Sequence, residues 1–317
     1  MDFPAAEKVR TVAVVGAGTI GASWAAWFLA RGCDVVASDP ASGGEAFVRR
    51  FVAEAWPALI RLGLAADADP GRLRFTADPV EAACLGDMVQ ESAPERLELK
   101  QELLGRIDAA LAPERVIASS TSGFTVSAMQ VRMRHPERLV VGHPFNPPHV
   151  IPLVEVVGGG RTAEAAVDWA LAFYRAVGKH PIRILKEVPG HLANRLQMAL
   201  WREAVHMVAE GVASVADVDA AIALGPGLRW AIMGPALTFH LAGGEGGMAH
   251  FLDHFGGFME ARWRELGSPK LTPELGRKLI DGVAEEAAGR SVTALAGQRD
   301  ACLLDILAAL AQHGAGR

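Results

Sequence analysis

A histidine and a glutamate twelve residues apart are the first side chains in the sequence whose types and spacing suggest chemistry. Gly142-His143-Pro144-Phe145-Asn146-Pro147-Pro148 follows the apolar run Leu139 to Gly142 and opens a loop too rich in proline for regular structure. Next, Pro152-Leu153-Val154-Glu155-Val156-Val157 sets one carboxylate inside a segment otherwise apolar on both faces. A buried glutamate is costly unless it is paired, and a partnership with His143 removes that cost. The same partnership makes a general base, because the carboxylate fixes the imidazole tautomer and stabilises the imidazolium formed on proton uptake. The alternative is a glutamate at a strand edge facing water. Ala118-Ser119-Ser120-Thr121-Ser122-Gly123 is a hydroxyl-rich strand end, suited to holding a substrate oxygen and equally to a turn or helix cap. Asn194 opens a helical stretch, where N-capping is the ordinary use.

These residues need an oxidant, and the sequence offers a place for one. Val12 to Gly21 reads V-A-V-V-G-A-G-T-I-G, a strand running into a glycine turn and then the helical stretch Ala22 to Arg31. Gly16 permits the tight turn and Gly18 lets backbone approach a pyrophosphate. Gly21 allows close helix-on-strand packing, Thr19 and Ile20 share the turn as cofactor-binding candidates, and the helix N-terminus faces the phosphates. The second strand, Val35 to Ser38, ends at Asp39, at the spacing expected of a carboxylate that binds the adenine ribose hydroxyls and repels a 2′-phosphate. Asp39 is also a usual turn or N-cap residue. With no arginine beside it, the turn predicts NAD rather than NADP. Together the residues compose one reaction. Hydride leaves a secondary alcohol carbon for nicotinamide, His143 removes the hydroxyl proton, and Ser122 and Asn194 hold the oxygen.

The elements that must position these groups follow from the pattern around them. Short β-branched runs at Thr11–Val15, Val35–Ser38, Met88–Gln90, Val116–Ser119, Leu139–Gly142 and Leu153–Val157 alternate with Ala-rich segments of helical period. This predicts βαβ crossovers and an α/β fold, a doubly wound, mostly parallel sheet of Rossmann type. After Val188-Pro189-Gly190 the strand signal stops, and Leu192–Glu210, Val215–Leu224 and Ala301–Ala311 read as helices. The division predicted is residues 1–188 for the nucleotide-binding domain and 189–317 for an all-helical C-terminal domain that contributes to substrate binding and dimerisation.

Composition bounds the rest. The 317 residues are 50% hydrophobic and 21% charged with a net charge of −5, as expected of a folded protein with no basic stripe for nucleic acid. No run reaches the roughly 18 apolar residues of a membrane span. Cys33, Cys84 and Cys302 lack any CxxC spacing, which argues against a disulfide framework or zinc site and for a reducing cytoplasm. His250 and His254 have the spacing of a metal face but neither the glutamate of HExxH nor a third ligand nearby, so they read as a solvated helix face and no metal is expected.

From Val12 to the C-terminus the sequence resembles the 3-hydroxyacyl-CoA dehydrogenase superfamily. The resemblance is carried by Gly16 to Gly21, Gln90-Glu-Ser-Ala-Pro-Glu95 with Lys100, Ser119 to Ser122, His143 to Pro147, Pro152 to Glu155, and Pro189-Gly190 through Asn194-Arg195-Leu196. It implies a Rossmann domain followed by a helical dimerisation domain, NAD as oxidant, a homodimer, and a His143–Glu155 pair assisted by Ser122 and Asn194. Glu95 and Lys100 match positions that flank the cofactor. Ser120 stands where relatives usually have asparagine near the nicotinamide. CoA-binding relatives carry a lysine-rich segment after the second strand, whereas residues 41–74 hold Arg49, Arg50, Arg61, Arg72 and Arg74 and no lysine. The stretch from Gly225 through Arg229, Trp230 and Phe239 to Gly244 and Met248 looks instead like the branch acting on carnitine and, more distantly, the branch acting on gulonate. A carnitine-like 3-hydroxy acid needs a cation for its carboxylate, with Arg195 and Arg229 as candidates. Its quaternary ammonium needs an aromatic face, with Trp230, Phe239, Trp201 and Phe145 as candidates, although aromatic residues at helical spacing are often core.

Overall fold

The computed structural model describes residues 3–314. By contact the chain divides into two compact units, residues 1–194 and 195–317.

Among the described residues the first unit is built on eight strands, β1 (Thr11–Val15), β2 (Asp34–Ser38), β3 (Leu73–Thr76), β4 (Met88–Glu91), β5 (Ile117–Ser119), β6 (Leu139–Pro144), β7 (Leu153–Gly158) and β8 (His180–Arg183). Their order across the sheet is β3-β2-β1-β4-β5-β6-β7-β8. Only the β6–β7 ladder is antiparallel; the other six are parallel. Six helices connect and cover them, α1 (Thr19–Ala30), α2 (Gly44–Arg61), α3 (Pro79–Leu85), α4 (Leu97–Ala110), α5 (Val126–Met129) and α6 (Glu164–Ala176).

Strand periodicity sorts the core into two layers. In β1, Val12 and Val14 point to one face and Ala13 and Val15 to the other, all buried, as a parallel sheet covered on both sides requires. The α1 and α6 face is aromatic. Trp24 stacks on Phe28 with ring centroids 5.1 Å apart, and Trp169 stacks on Phe173 at 5.5 Å. The opposite face packs Leu104 and Ile107 of α4 and Met129 of α5 on Val89, Ile117 and Val141.

Two strands, β3 and β8, lie outside the six runs that the sequence predicts. Both are edge strands and only partly buried, and β8 carries a proline, so neither presents a continuous apolar run. The loop predicted to open at Gly142 is also corrected. Strand β6 continues through His143 to Pro144, which pairs with Val154. Proline is tolerated there because β5 pairs only as far as Val141, leaving the last residues of β6 with one neighbour strand.

The second unit is helical. α7 (Ala193–Ala209) runs into it, followed by α8 (Val215–Leu224), α9 (Pro226–Trp230), α10 (Pro235–Ala242), α11 (Gly247–Trp263), α12 (Pro273–Ala287) and α13 (Val292–Gln312). Ser214, Thr272 and Ser291 cap α8, α12 and α13 by accepting backbone N–H bonds. Among the described residues, no helix is long and apolar enough to cross a membrane.

Candidate active site

His143 and Glu155 face each other directly across the antiparallel ladder of β6 and β7. His143 Nδ1 lies 2.8 Å from Glu155 Oε2, and both side chains are buried. A carboxylate only accepts, so Nδ1 carries the hydrogen and Nε2 keeps the lone pair a base needs. The other carboxylate oxygen, Oε1, accepts the Leu192 and Ala193 amides at 2.9 and 2.8 Å, at the start of α7. Burial alone pushes the Glu155 carboxyl upward, but the hydrogen bonds from His143, Ala193 and Leu192 outweigh it and hold the group below the ordinary carboxylate range. Glu155 therefore remains an anion between the imidazole and the helix start.

His191 completes this corner and was not singled out by sequence reasoning. It is buried, with a left-handed backbone at φ 51° directly after Gly190 at φ 77°. Its Nε2 donates to the Thr121 carbonyl at 2.8 Å, and its ring centroid lies 5.0 Å from that of His143. Burial lowers its pKa below the ordinary imidazole range and the adjacent His143 adds to this, although the bond to Thr121 works in the opposite direction. One turn of chain thus supplies a neutral ring beside His143 and two amides to the Glu155 carboxylate. Asn194 follows in the first turn of α7. The signal that was available is a histidine between Pro189-Gly190 and Asn194.

The hydroxyl-rich segment after β5 is held from the other side. Glu95 Oε1 accepts from the Thr121 hydroxyl at 2.5 Å and from the Ser122 and Gly123 amides at 3.1 and 2.9 Å. Lys100, buried, places Nζ 2.8 Å from Glu91 Oε1, 3.0 Å from the Ala93 carbonyl and 3.5 Å from Glu95 Oε2. Glu91 also accepts the Ser119 hydroxyl at 2.5 Å. Glu91 lies inside the Gln90–Glu95 motif, but the sequence reading assigns no role to it. With both charges desolvated, removing either partner of the Lys100–Glu91 pair leaves an uncompensated charge in the core. Ser122 itself is exposed.

At the nucleotide end, the strand order reverses between β1 and β4, the switch point where ligands bind beyond the strand ends in such sheets. A Cβ on Gly16 would meet the Ser92 and Ala93 backbone at 2.6 Å, and one on Gly21 the Gly16 carbonyl at 1.8 Å. Gly18 has nothing within 4 Å, leaving open space at the start of α1, and no side chain caps that helix. Bare first-turn amides beside open space fit a pyrophosphate. Asp39 Oδ2 accepts the Ala17 amide and Oδ1 the Ala41 amide, both at 2.9 Å. Each oxygen retains a lone pair for a ribose hydroxyl, so a turn-forming and a ligand-binding use coexist. The residues present fit a dinucleotide.

The remaining sequence-predicted residues are spread over both units. Phe145 follows β6, its amide bonded to the Leu153 carbonyl at 3.3 Å. Arg229 and Trp230 end α9, and Phe239 of α10 stacks on Phe251 of α11 at 5.0 Å. Trp201 of α7 lines an apolar groove of about 680 Å³ with Met198, Ile222, Asp219 and Glu286. Arg195 is exposed at its place in α7. His250 Nδ1 donates to the Gly243 carbonyl at 3.0 Å, and among the described residues no three His, Cys, Asp or Glu side chains converge as metal ligands.

An alcohol dehydrogenase that uses a dinucleotide is the class of protein that this fold and site define, since the His143–Glu155 pair lies on the same sheet as the glycine turn, with His143 on β6, three strands along from β1. The family models of the 3-hydroxyacyl-CoA dehydrogenase NAD binding domain and C-terminal domain match residues 11–188 and 190–286. The chain belongs to the 3-hydroxyacyl-CoA dehydrogenase family, and its cofactor is NAD. It is 57% identical over 312 residues to an L-carnitine dehydrogenase of Streptomyces griseus, covering 97% of this chain and 93% of that one. An L-carnitine dehydrogenase of Streptomyces coelicolor is 56% identical, with 97% of each chain covered. Among solved structures, an NAD+-dependent 5-formyl-3-hydroxy-2-methylpyridine-4-carboxylic acid 5-dehydrogenase superposes with a TM-score of 0.82 at 28% identity, covering 95% of this chain and 98% of that one.

Proposed function

We propose that this chain oxidises the 3-hydroxyl of L-carnitine to give 3-dehydrocarnitine and NADH. The observation that carries the reading is the buried His143–Glu155 pair, with Nε2 left as the base, in a chain 57% identical to an L-carnitine dehydrogenase. NAD, when bound, accepts the hydride from the carbon bearing the hydroxyl. The protein's own part is to take the hydroxyl proton on His143 Nε2, to hold the resulting imidazolium beside the Glu155 anion, and to steady the substrate oxygen with Ser122 and Asn194. Gly16, Gly18, Thr19, Ile20, Gly21 and Asp39 bind the cofactor, and Glu95, Lys100 and Ser120 shape its nicotinamide end. Arg195 or Arg229 pairs the substrate carboxylate. An aromatic face from Phe145, Trp201, Trp230 or Phe239 meets the trimethylammonium, contributing about 0.5–2 kcal/mol.

The helical unit leaves Leu224, Leu237, Leu241, Ile280 and Val283 exposed, which supports self-association as a homodimer. Free Cys33, Cys84 and Cys302 support residence in the cytoplasm. The test of the substrate is NADH formation, read by absorbance, with L-carnitine, L-gulonate and 3-hydroxybutyryl-CoA offered separately at equal NAD+. Turnover of L-carnitine well above both others is expected, and turnover of either rival without L-carnitine contradicts the reading.

A further inference from the structure

Five polar side chains behind the first glycine turn form a hydrogen-bond chain whose direction can be read from donors and acceptors alone. Tyr174, the only tyrosine in the sequence, is fully buried and lies 2.6 Å from Gln90 Oε1. Burial raises its phenol above the ordinary range, so it is a hydroxyl donor. The amide of Gln90 is oriented at its other end by the Gly142 carbonyl, 3.4 Å from Nε2, because a carbonyl can only accept. The same Nε2 donates to Ser120 Oγ at 2.8 Å. Trp24 Nε1, a donor only, lies 3.2 Å from that oxygen too. These two donors fill both lone pairs of the Ser120 hydroxyl, so its own hydrogen goes to Ser92 Oγ, 2.9 Å away.

Ser92 is therefore an acceptor from within, and its own hydrogen is spoken for by no other side chain among the described residues. It is half-buried, follows β4 at the switch point, and its backbone is what a Cβ on Gly16 would strike at 2.6 Å. A donor whose direction is imposed from the core, ending beside the phosphate-binding turn, is arranged for an acceptor outside the protein.

We propose that Ser92 is a cofactor-binding residue whose hydroxyl donates to an acceptor oxygen on the nicotinamide half of the dinucleotide. Ser120, Gln90 and Tyr174 are positioning residues that set the direction of that donor. The proposal rests on the dinucleotide reading of the Gly16–Gly21 turn. Its test is the Kd of the whole protein for NAD+, ADP-ribose and ADP, measured by calorimetry without substrate. Ser92→Ala is expected to weaken NAD+ by about threefold to tenfold, the range of one neutral hydrogen bond, and to leave ADP unchanged. Ser92→Thr, which keeps the hydroxyl, restores NAD+ affinity. Ser120→Ala gives the same selective loss as Ser92→Ala. Weakened ADP-ribose assigns the acceptor to the ribose and unchanged ADP-ribose to the carboxamide, each supporting the proposal. An unchanged NAD+ Kd in Ser92→Ala, or ADP weakened as much as NAD+, overturns it. Wild-type protein that binds neither NAD+ nor ADP overturns the dinucleotide reading itself, and the proposal with it.

Discussion

Glu155→Gln separates the two duties of the carboxylate, orienting the imidazole and stabilising its charged form, from mere space filling. The amide oxygen of the variant must face the Leu192 and Ala193 N–H groups, which need an acceptor, so its NH2 faces His143. Nδ1 must then accept, the ring proton moves to Nε2, and the base is lost while the volume is kept. We expect kcat with L-carnitine to fall by about 10²- to 10⁴-fold, with NAD+ affinity retained; a kcat within a few fold of wild type would contradict the assigned tautomer. At this scale the sequence was readable wherever a residue broke its local pattern. Glu155 stood out as one charge in an apolar strand, and the three glycines stood out by their spacing. His191 and Glu91 did not, because each acquires its partner, Thr121 or Lys100, only through contacts between segments 70 and nine residues apart. Ser120 could be noticed as a departure, but its triple engagement with Trp24, Gln90 and Ser92 is a property of the packed interior.

The turn at Gly190-His191 ties the end of the Rossmann unit to Thr121, beyond β5, and to Glu155 of β7, and its stability is linked to pH. His191 has a folded-state pKa below the unfolded value of about 6.5, so folding favours its neutral form. The contribution is fully present above about pH 6.5 and is lost as pH falls through the folded-state value, with a slope of at most about 1.4 kcal/mol per pH unit. His191→Asn, which tolerates the left-handed backbone and does not titrate there, should lack this component. Urea unfolding at pH 7.5 and 5.5 is expected to show the gap between wild type and variant narrowing in acid; a constant gap would show that His191 is not held neutral by the fold. The elements themselves were legible to the extent that they were buried. β1, β4 and β6 announce themselves as apolar runs, and the helical period of Val215–Leu224 matches α8. Edge strands β3 and β8 are half-solvated and have no such run. Proline reads as loop chemistry in sequence, so the end of β6 is not legible there, yet a strand end with a single neighbour accepts it.

At the scale of the whole molecule, the two units differ in how completely they bury their own apolar residues. The Rossmann unit has two closed core layers, whereas in the helical unit Val205, Val208, Val215, Phe251, Leu275 and Leu304 are buried while many larger side chains are not. Sedimentation velocity at working concentration is expected to give twice the 33.5 kDa chain mass; a monomer would contradict the homodimer. The two-domain order was visible in sequence because the strand signal ceases at Pro189. The unit boundary lies a few residues beyond it, between Asn194 and Arg195, because Glu155 and Thr121 retain residues 191–193 by hydrogen bonds that no local pattern encodes.

Residues 41–74 hold no lysine. The most direct test of the account is the fate of the hydrogen on the hydroxyl-bearing carbon. With L-carnitine deuterated at C3 and unlabelled NAD+, the account requires one deuterium transferred to each NADH by the wild type, and a rate about 10²- to 10⁴-fold lower in His143→Ala. NADH formed without deuterium, no NADH at all, or a His143→Ala enzyme as fast as wild type would contradict it.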